Sequence, residues 1–516
     1  MLPSMISLLQ RLNKLLNDRL LAFGSFLIFV ATAAIYNIPN PEYLNLTFGW
    51  EYGNIAEALV NGRGYSDAFG MGSGPTAWMP PLFVLLLASA FQLFGVKTIA
   101  AMWAILITKY AALATTLYIL LSLAGKNPYY AKYKHILALI FIFLIYINRD
   151  SYFVGLHDDW LILFLASLMV VLISARINGG AQSNLIPLGI LAFLLPLASP
   201  ALAAAFLLIW VGMIVFGIPR TSSSRSRWQT NLGILAIFAT SMFVWTARNY
   251  QVFGTFIPLK SNFWFDFYQA NYYDEDGLLN SSTFALFHPI GQNEVRDEYF
   301  REKEAKFIEN YKILSFEELR ANPSPVFRNI VRRAVSAFLY MHYAEDLLPV
   351  IGDTFTTRDI QKLRQANLIS THEFPTIHWT SLNLTEREFK YRITPLTLDE
   401  ESTVLEDWRE QKNLLTSRRN DWKSIFKSIL LSLIPSLCIV FGLLIERIRR
   451  QPVFILTVSL YLAYLAPYVL VAHYRRYQAP LIGLQSILFF LFVCIFLENF
   501  LSRILKVLDT RQGIKR

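Results

Sequence analysis

Long apolar runs recur along this chain, and they constrain it more than any other feature. A helix crossing the hydrocarbon core of a bilayer needs roughly 20 mostly apolar residues, because each adds only about 1.5 Å of rise. Runs of that kind cover 20–38, 98–124, 157–175, 199–218, 231–247, 424–446, 452–472 and 478–500, with shorter ones at 134–148 and 184–198. Composition points the same way. Of 516 residues, 16% are charged and 54% hydrophobic, against roughly 25% and 45–50% in soluble domains. Such a chain is not disordered, not collagen-like and not an ordinary soluble enzyme. Both cysteines, Cys438 and Cys494, sit inside apolar runs, which excludes a disulfide framework or a cysteine zinc site. The run at 20–38 is too long for a signal-peptide core and reads as an uncleaved first span.

The net charge of +10 is explained by membrane topology, not by a nucleic-acid partner. Short basic loops carry Lys126, Lys132 and Lys134, then Arg220, Arg225 and Arg227, then Arg447, Arg449 and Arg450. Arg11, Lys14 and Arg19 precede the first span, and Arg503, Lys506 and Arg511 follow the last. The positive-inside rule puts all of them on the cytoplasmic side. They share that side only if the run at 81–95 does not cross, so that run is placed at the outer interface or as a re-entrant segment. The expected fold is an all-α polytopic membrane protein of about ten transmembrane helices, with both termini inside. Residues 1–247 form a transmembrane module with a first outer loop at 39–97. Residues 248–423 form an extracytoplasmic soluble domain inserted between spans seven and eight, and 424–516 a C-terminal segment of three transmembrane helices. There is no repeat of solenoid length and no glycine-rich phosphate loop, which disfavours solenoids and ATP-driven transport.

Chemistry-bearing residues collect at the outer ends of the spans. Glu51 lies beside Trp50, just before a short helical stretch at 52–60. It reads either as a carboxylate complementing a helix N-terminus or as a desolvated general base. His157-Asp158-Asp159 stands at the mouth of the next span, where charged groups are costly unless capped, paired or functional. Capping fits Asp159 best, an acceptor-orienting role fits His157 and Asp158, and a divalent Mg²⁺ or Mn²⁺ is the third reading. Arg475, Arg476 and Tyr477 lie between the last two spans on the outer side, against the charge rule. A phosphate would offset that pair, as would headgroup anchoring. Arg248 and Lys260 add cations at the exit of the seventh span.

Several of these segments resemble a known family when read together. Glu51-Tyr52-x-x-Ile55-Ala56, Gly62-x-Gly64-Tyr65-Ser66 and Pro75-Thr76-Ala77-Trp78-x-Pro80-Pro81-Leu82 are similar to the first outer loop of GT-C glycosyltransferases. The bacterial relatives of protein O-mannosyltransferases and of aminoarabinose transferases are the groups most resembled. Leu197-Ala198-Ser199-Pro200, Trp245-Thr246-x-Arg248-Asn249-Tyr250 and Arg476-Tyr477-x-x-Pro480 add matches in chain order. A lone Glu51 stands where the mannosyltransferases have an Asp-Glu pair, and Met79 where a basic residue precedes the double proline.

The resemblance implies a transferase that moves a sugar from a polyprenyl-phosphate-linked donor to a lipid, glycan or protein acceptor on the outer face. Inversion is expected because no second carboxylate is placed for a covalent intermediate. It implies Glu51 as the base and a bacterial plasma membrane, while the outward-placed Arg248, Lys260, Arg475 and Arg476, with Tyr477, are read from their charge and position as donor-phosphate ligands. Two other classes stay open from the residues. One is a transporter or flippase of lipid-linked glycans, although the spans split seven and three rather than into related halves. The other is a membrane scaffold whose outer domain binds a partner.

Overall fold

The computed structural model describes residues 17–37, 48–178, 185–218, 224–273, 277–279, 288–290, 293–339, 374–375, 395–396 and 422–513. Most of 353–415, expected from its sequence to be polar and partly helical, lies outside the described residues, as do Arg220 and all of 39–47. The described protein is predominantly helical. Seven helices among the described residues are long and apolar enough to cross a membrane: Asp18–Tyr36, Ile99–Gly125, Asp159–Ile177, Trp228–Phe253, Ile425–Leu444, Pro452–Leu470 and Arg476–Phe500. This is a multi-pass, all-helical membrane architecture. Four shorter apolar helices accompany them: Pro81–Phe94, Lys134–Ile147, Leu185–Ala198 and Pro200–Val215. At about 1.5 Å per residue these reach only about 21–24 Å, short of a hydrocarbon core of about 30 Å. Three of the ten expected spans therefore fall below full crossing length as straight helices.

Local chemistry sets the boundaries. Thr98 accepts the Ala101 N–H at 3.1 Å and Ser199 the Leu202 N–H at 3.3 Å, so each caps the helix that follows it. Pro81, Pro200 and Pro452 open their helices at the first position, where a missing N–H costs nothing. Strand pairing is confined to two-residue stretches, Leu278–Leu279 with His473–Tyr474 and Phe374–Pro375 with Pro395–Leu396. Helix Ile99–Gly125 packs between Asp18–Asn37 and Asp159–Ile177, and the latter also receives the start of Ile482–Gly513. That approach is close enough that a Cβ at Gly483 would collide with Ser167 Oγ.

The two ends of the bundle differ in kind. At one end, three of the basic residues assigned by charge to a common side pair with acidic partners. Lys134 pairs with Asp18 at 2.6 Å, Arg447 and Lys132 reach Glu498 at 2.5 and 3.9 Å, and Arg447 stacks 3.9 Å from the Tyr129 ring centroid. At the other end, the 48–80, 149–158, 254–262 and 471–477 segments converge beneath helices Asn293–Ala321 and Ser324–Phe338. Glu304 fastens that cover to the first loop. Its carboxylate accepts from Thr76 Oγ1 at 2.5 Å, from the Ala77 N–H at 2.6 Å and from Tyr299 Oη at 2.6 Å. Arg333 fastens it to the late spans, donating to the carbonyls of Val469, Leu470, Ala270 and Gly277 and to Asn271 Oδ1 at 2.8–3.4 Å.

Candidate active site

A cavity of about 1550 Å³ opens where those segments converge. Its wall includes Glu51, His157, Asp158, Lys260, Arg476 and Tyr477, residues spread across more than 400 positions of chain. The fold thus brings together six of the eight residues singled out in the sequence. It also adds three carboxyl or imidazole groups that sequence reasoning missed or misread: Asp159, Asp266 and His288.

Glu51 is the first residue of helix Glu51–Val60, and the backbone ahead of it is forced. Phe48, Gly49 and Trp50 all have positive φ, at 49°, 81° and 59°, a run that costs on the order of 1 kcal/mol or more for each non-glycine residue. A Cβ at Gly49 would press on the Leu156 carbonyl at 3.1 Å and lie 3.5 Å from His157 Nδ1, so only glycine lets these two loops touch here. The tight turn buries the Glu51 carboxyl against the loop that carries His157 and Asp158. Burial pushes its pKa up to about 7, with its own backbone N–H and the Lys260 and Arg476 charges acting in the opposite direction. The helix N-terminus favours the ionised form for the same reason as those charges. Nε2 of His288 stands 3.9 Å from Glu51 Oε1. Burial likewise raises Asp266 to about 6, opposed by Lys260, and Asp266 accepts from Asn262 Nδ2 at 3.0 Å.

The Asp pair divides differently from the expected capping pattern. Asp158 occupies the cap position of helix Asp159–Ile177 but makes no side-chain capping bond; its Oδ2 accepts from Tyr52 Oη at 2.8 Å. Asp159, expected as a cap, instead faces Arg476, with Oδ1 3.6 Å from Nε. Lys109, buried in the neighbouring helix, holds their loop by donating to the Gly155 and Ser151 carbonyls at 2.7 and 3.1 Å. His157 is kept neutral, its pKa lowered well below the usual range by burial and then by Arg476 and Lys109. Tyr477 stacks on Tyr468 at 4.0 Å between ring centroids. Arg475 opens the same turn, but its side chain is outside the described set.

Arg248, expected with the donor-phosphate ligands, lies outside the cavity wall. Its guanidinium is occupied by the Thr76 carbonyl at 2.7 Å, the Tyr65 carbonyl at 2.8 Å and Asn249 Oδ1 at 3.0 Å, between the Tyr65 and Trp245 rings. Its neighbours do similar work. Trp245 Nε1, Thr246 Oγ1 and Asn249 Nδ2 donate to the carbonyls of Leu259, Pro258 and Ile257 at 2.9, 3.0 and 2.9 Å. The Trp245–Asn249 motif therefore shapes the cavity wall that presents Lys260.

Chemically, the site is a desolvated acid beside cations. Lys260 has no hydrogen-bond or ion-pair partner among the described residues, whereas Arg476 has only Asp159 at longer range. Helices Glu51–Val60, Pro81–Phe94, Asp159–Ile177 and Pro200–Val215 all begin at the cavity, so their positive N-terminal ends point toward it. Among the described residues, no three His, Cys, Asp or Glu side chains gather to hold a metal ion. Set against protein-family models, curated proteins and solved structures, the chain matches none of them.

Proposed function

We propose that the protein is a glycosyltransferase that takes a sugar from a polyprenyl-phosphate-linked donor and passes it to a lipid, glycan or protein acceptor on the extracytoplasmic face. The observation that carries the reading is Glu51. It is a buried carboxyl with a pKa near 7, in a cavity walled by late-span aromatics, by Lys260 and Arg476, and by helix N-termini. A general base works best when its pKa lies near the working pH, and the cations and helix ends suit a departing lipid phosphate. In one displacement, Glu51 takes the acceptor hydroxyl proton as the new glycosidic bond forms and the sugar–phosphate bond breaks. Lys260 and Arg476 receive the charge on the leaving phosphate. Asp158, Asp159 and Asp266 share the cavity with Glu51, so absence of a second carboxylate is no argument for inversion.

Mass spectrometry of lipid-linked sugars and glycoconjugates, in cells with and without the gene, is the test. The expected result is a donor that accumulates and a glycoconjugate that disappears on deletion, with the deletion phenotype kept by Glu51→Gln. Unchanged profiles overturn the reading. Orientation is checked separately with single cysteines. Cysteine at exposed Met71 is expected to react with an impermeant reagent from outside and cysteine at exposed Lys126 is not, the native Cys438 and Cys494 being buried. The reverse pattern overturns the outward placement.

A further inference from the structure

Among the cavity's titratable side chains, His288 is one that this mechanism leaves without a role. His288 is buried, with its ring met edge-on by Phe69, Trp78 and Phe265 at centroid distances of 5.6, 5.8 and 5.5 Å. Its Nδ1 accepts the Ile290 backbone N–H at 3.2 Å. A ring nitrogen that accepts carries no proton, so the neutral imidazole holds its proton on Nε2. Nε2 is the atom turned to Glu51, 3.9 Å from Oε1. Burial and the nearby Lys260 push the His288 pKa down to about 3, which keeps the ring neutral. The ring is therefore fixed in place and in tautomer. It can donate toward Glu51, and its basic lone pair is engaged by Ile290, so it does not compete for the acceptor proton.

We infer that His288 is the positioning residue of Glu51: its Nε2–H closes on Oε1 as the carboxylate ionises and leaves Oε2 free for the acceptor hydroxyl. Hydrogen bonds at catalytic groups are often long before substrate binds and tighten afterwards. The proton count is simple. The acceptor proton ends on Glu51, the bonding electrons of the broken sugar–oxygen bond leave with the phosphate, and His288 keeps its own proton throughout. The charged groups facing Glu51 are Lys260, Arg476 and Asp266, all unchanged in the variants below. The inference rests on Glu51 being the base, but its central observable is the Glu51 carboxyl itself.

The experiment is an infrared pH titration of the full-length protein in lipid nanodiscs, with the Glu51 carboxyl band assigned by Glu51→Gln. His288→Asn keeps an acceptor for Ile290 but loses the donor that reaches Glu51, and it fills enough of the site to serve as the folded comparison for His288→Ala. His288→Gln carries an amide N–H near the place of Nε2. Loss of the donor is expected to raise the Glu51 midpoint by about one pH unit in the Asn and Ala variants, the scale of a hydrogen bond to a charged group. The Gln variant is expected to return most of it. The acid limb of the rate profile should move with the midpoint, and turnover above that limb should fall about tenfold. An unmoved or lowered midpoint in His288→Asn, or Gln behaving as Asn does, overturns the inference. Wild-type turnover by Glu51→Gln would instead remove the base assignment while leaving the titration to be read on its own terms.

Discussion

Two glutamates are buried at the cavity end of this bundle, and their surroundings are opposite. Glu304, 1% exposed, accepts three short hydrogen bonds from Thr76, Ala77 and Tyr299. Glu51, 7% exposed, faces His288 at 3.9 Å. Two arginines repeat the contrast. Arg333 donates to four backbone carbonyls and an asparagine, whereas Arg476 looks across 3.6 Å at Asp159. Desolvation acts on both members of each pair, so burial alone does not separate scaffold from chemistry. The number of protein partners does. A saturated buried charge fixes geometry, and an under-satisfied one beside a cavity keeps capacity for a ligand.

The sharpest way to break that comparison is Glu51→Gln. Turnover should fall by about 10²–10⁴-fold with little change in apparent donor affinity, measured on membranes holding equal amounts of folded protein. Stability should respond in the opposite sense. The carboxyl titrates at an ordinary 4.5 when unfolded and at about 7 when folded, so the native state holds the proton more tightly. Its contribution is full below 4.5 and is lost as pH rises through about 7, an effect of at most about 3 kcal/mol. Thermal unfolding across that window should slope downward with pH in the wild type and be flatter in Glu51→Gln, while wild-type activity rises. A variant that loses both stability and activity at neutral pH would place Glu51 with the scaffold residues.

Arg333→Met is the complementary break. It removes donors from five acceptors and should cost about 3–5 kcal/mol of stability, read as a lowered unfolding temperature in detergent. Arg476→Ala should change stability much less and weaken donor use by about 10–100-fold, with Arg476→Lys restoring only part because the planar fork is lost. Smallest of all is the effect of Arg248→Lys on donor affinity. It is expected to be negligible, with any loss appearing in unfolding temperature instead. A donor-affinity loss in Arg248→Lys equal to that in Arg476→Lys would return Arg248 to the site.

Much of this was legible in the sequence because a bilayer imposes strict rules on it. The long spans follow from apolar length, and Glu51, His157, Asp158, Lys260 and Arg476 from charge placed where charge is costly. Partner identity was not legible. Arg248 and Arg476 look alike as arginines at span ends, and only the folded chain shows that one reaches the Thr76 and Tyr65 carbonyls. His288 and Asp266 sit in a stretch with no motif, and nothing local predicts that either meets a residue more than 200 positions away. Asp159 was misread for a related reason. An Asp at a helix start is usually explained by the helix itself, and here the explanation is an arginine beyond position 470.

That same span of sequence carries a consequence for how the molecule is made. Tyr152 Oη donates to the Ala479 carbonyl at 2.7 Å, and the Asp159 partner is Arg476. During synthesis, which proceeds N-terminus first, the early helices are assembled hundreds of residues before those partners emerge. Lys109, Asp158 and Asp159 must then wait in a half-built bundle without Arg476. The nascent intermediate is thus a natural client for whatever shields polar groups in the membrane during insertion. Truncation anywhere before position 476 should leave a chain that inserts but never acquires the cavity.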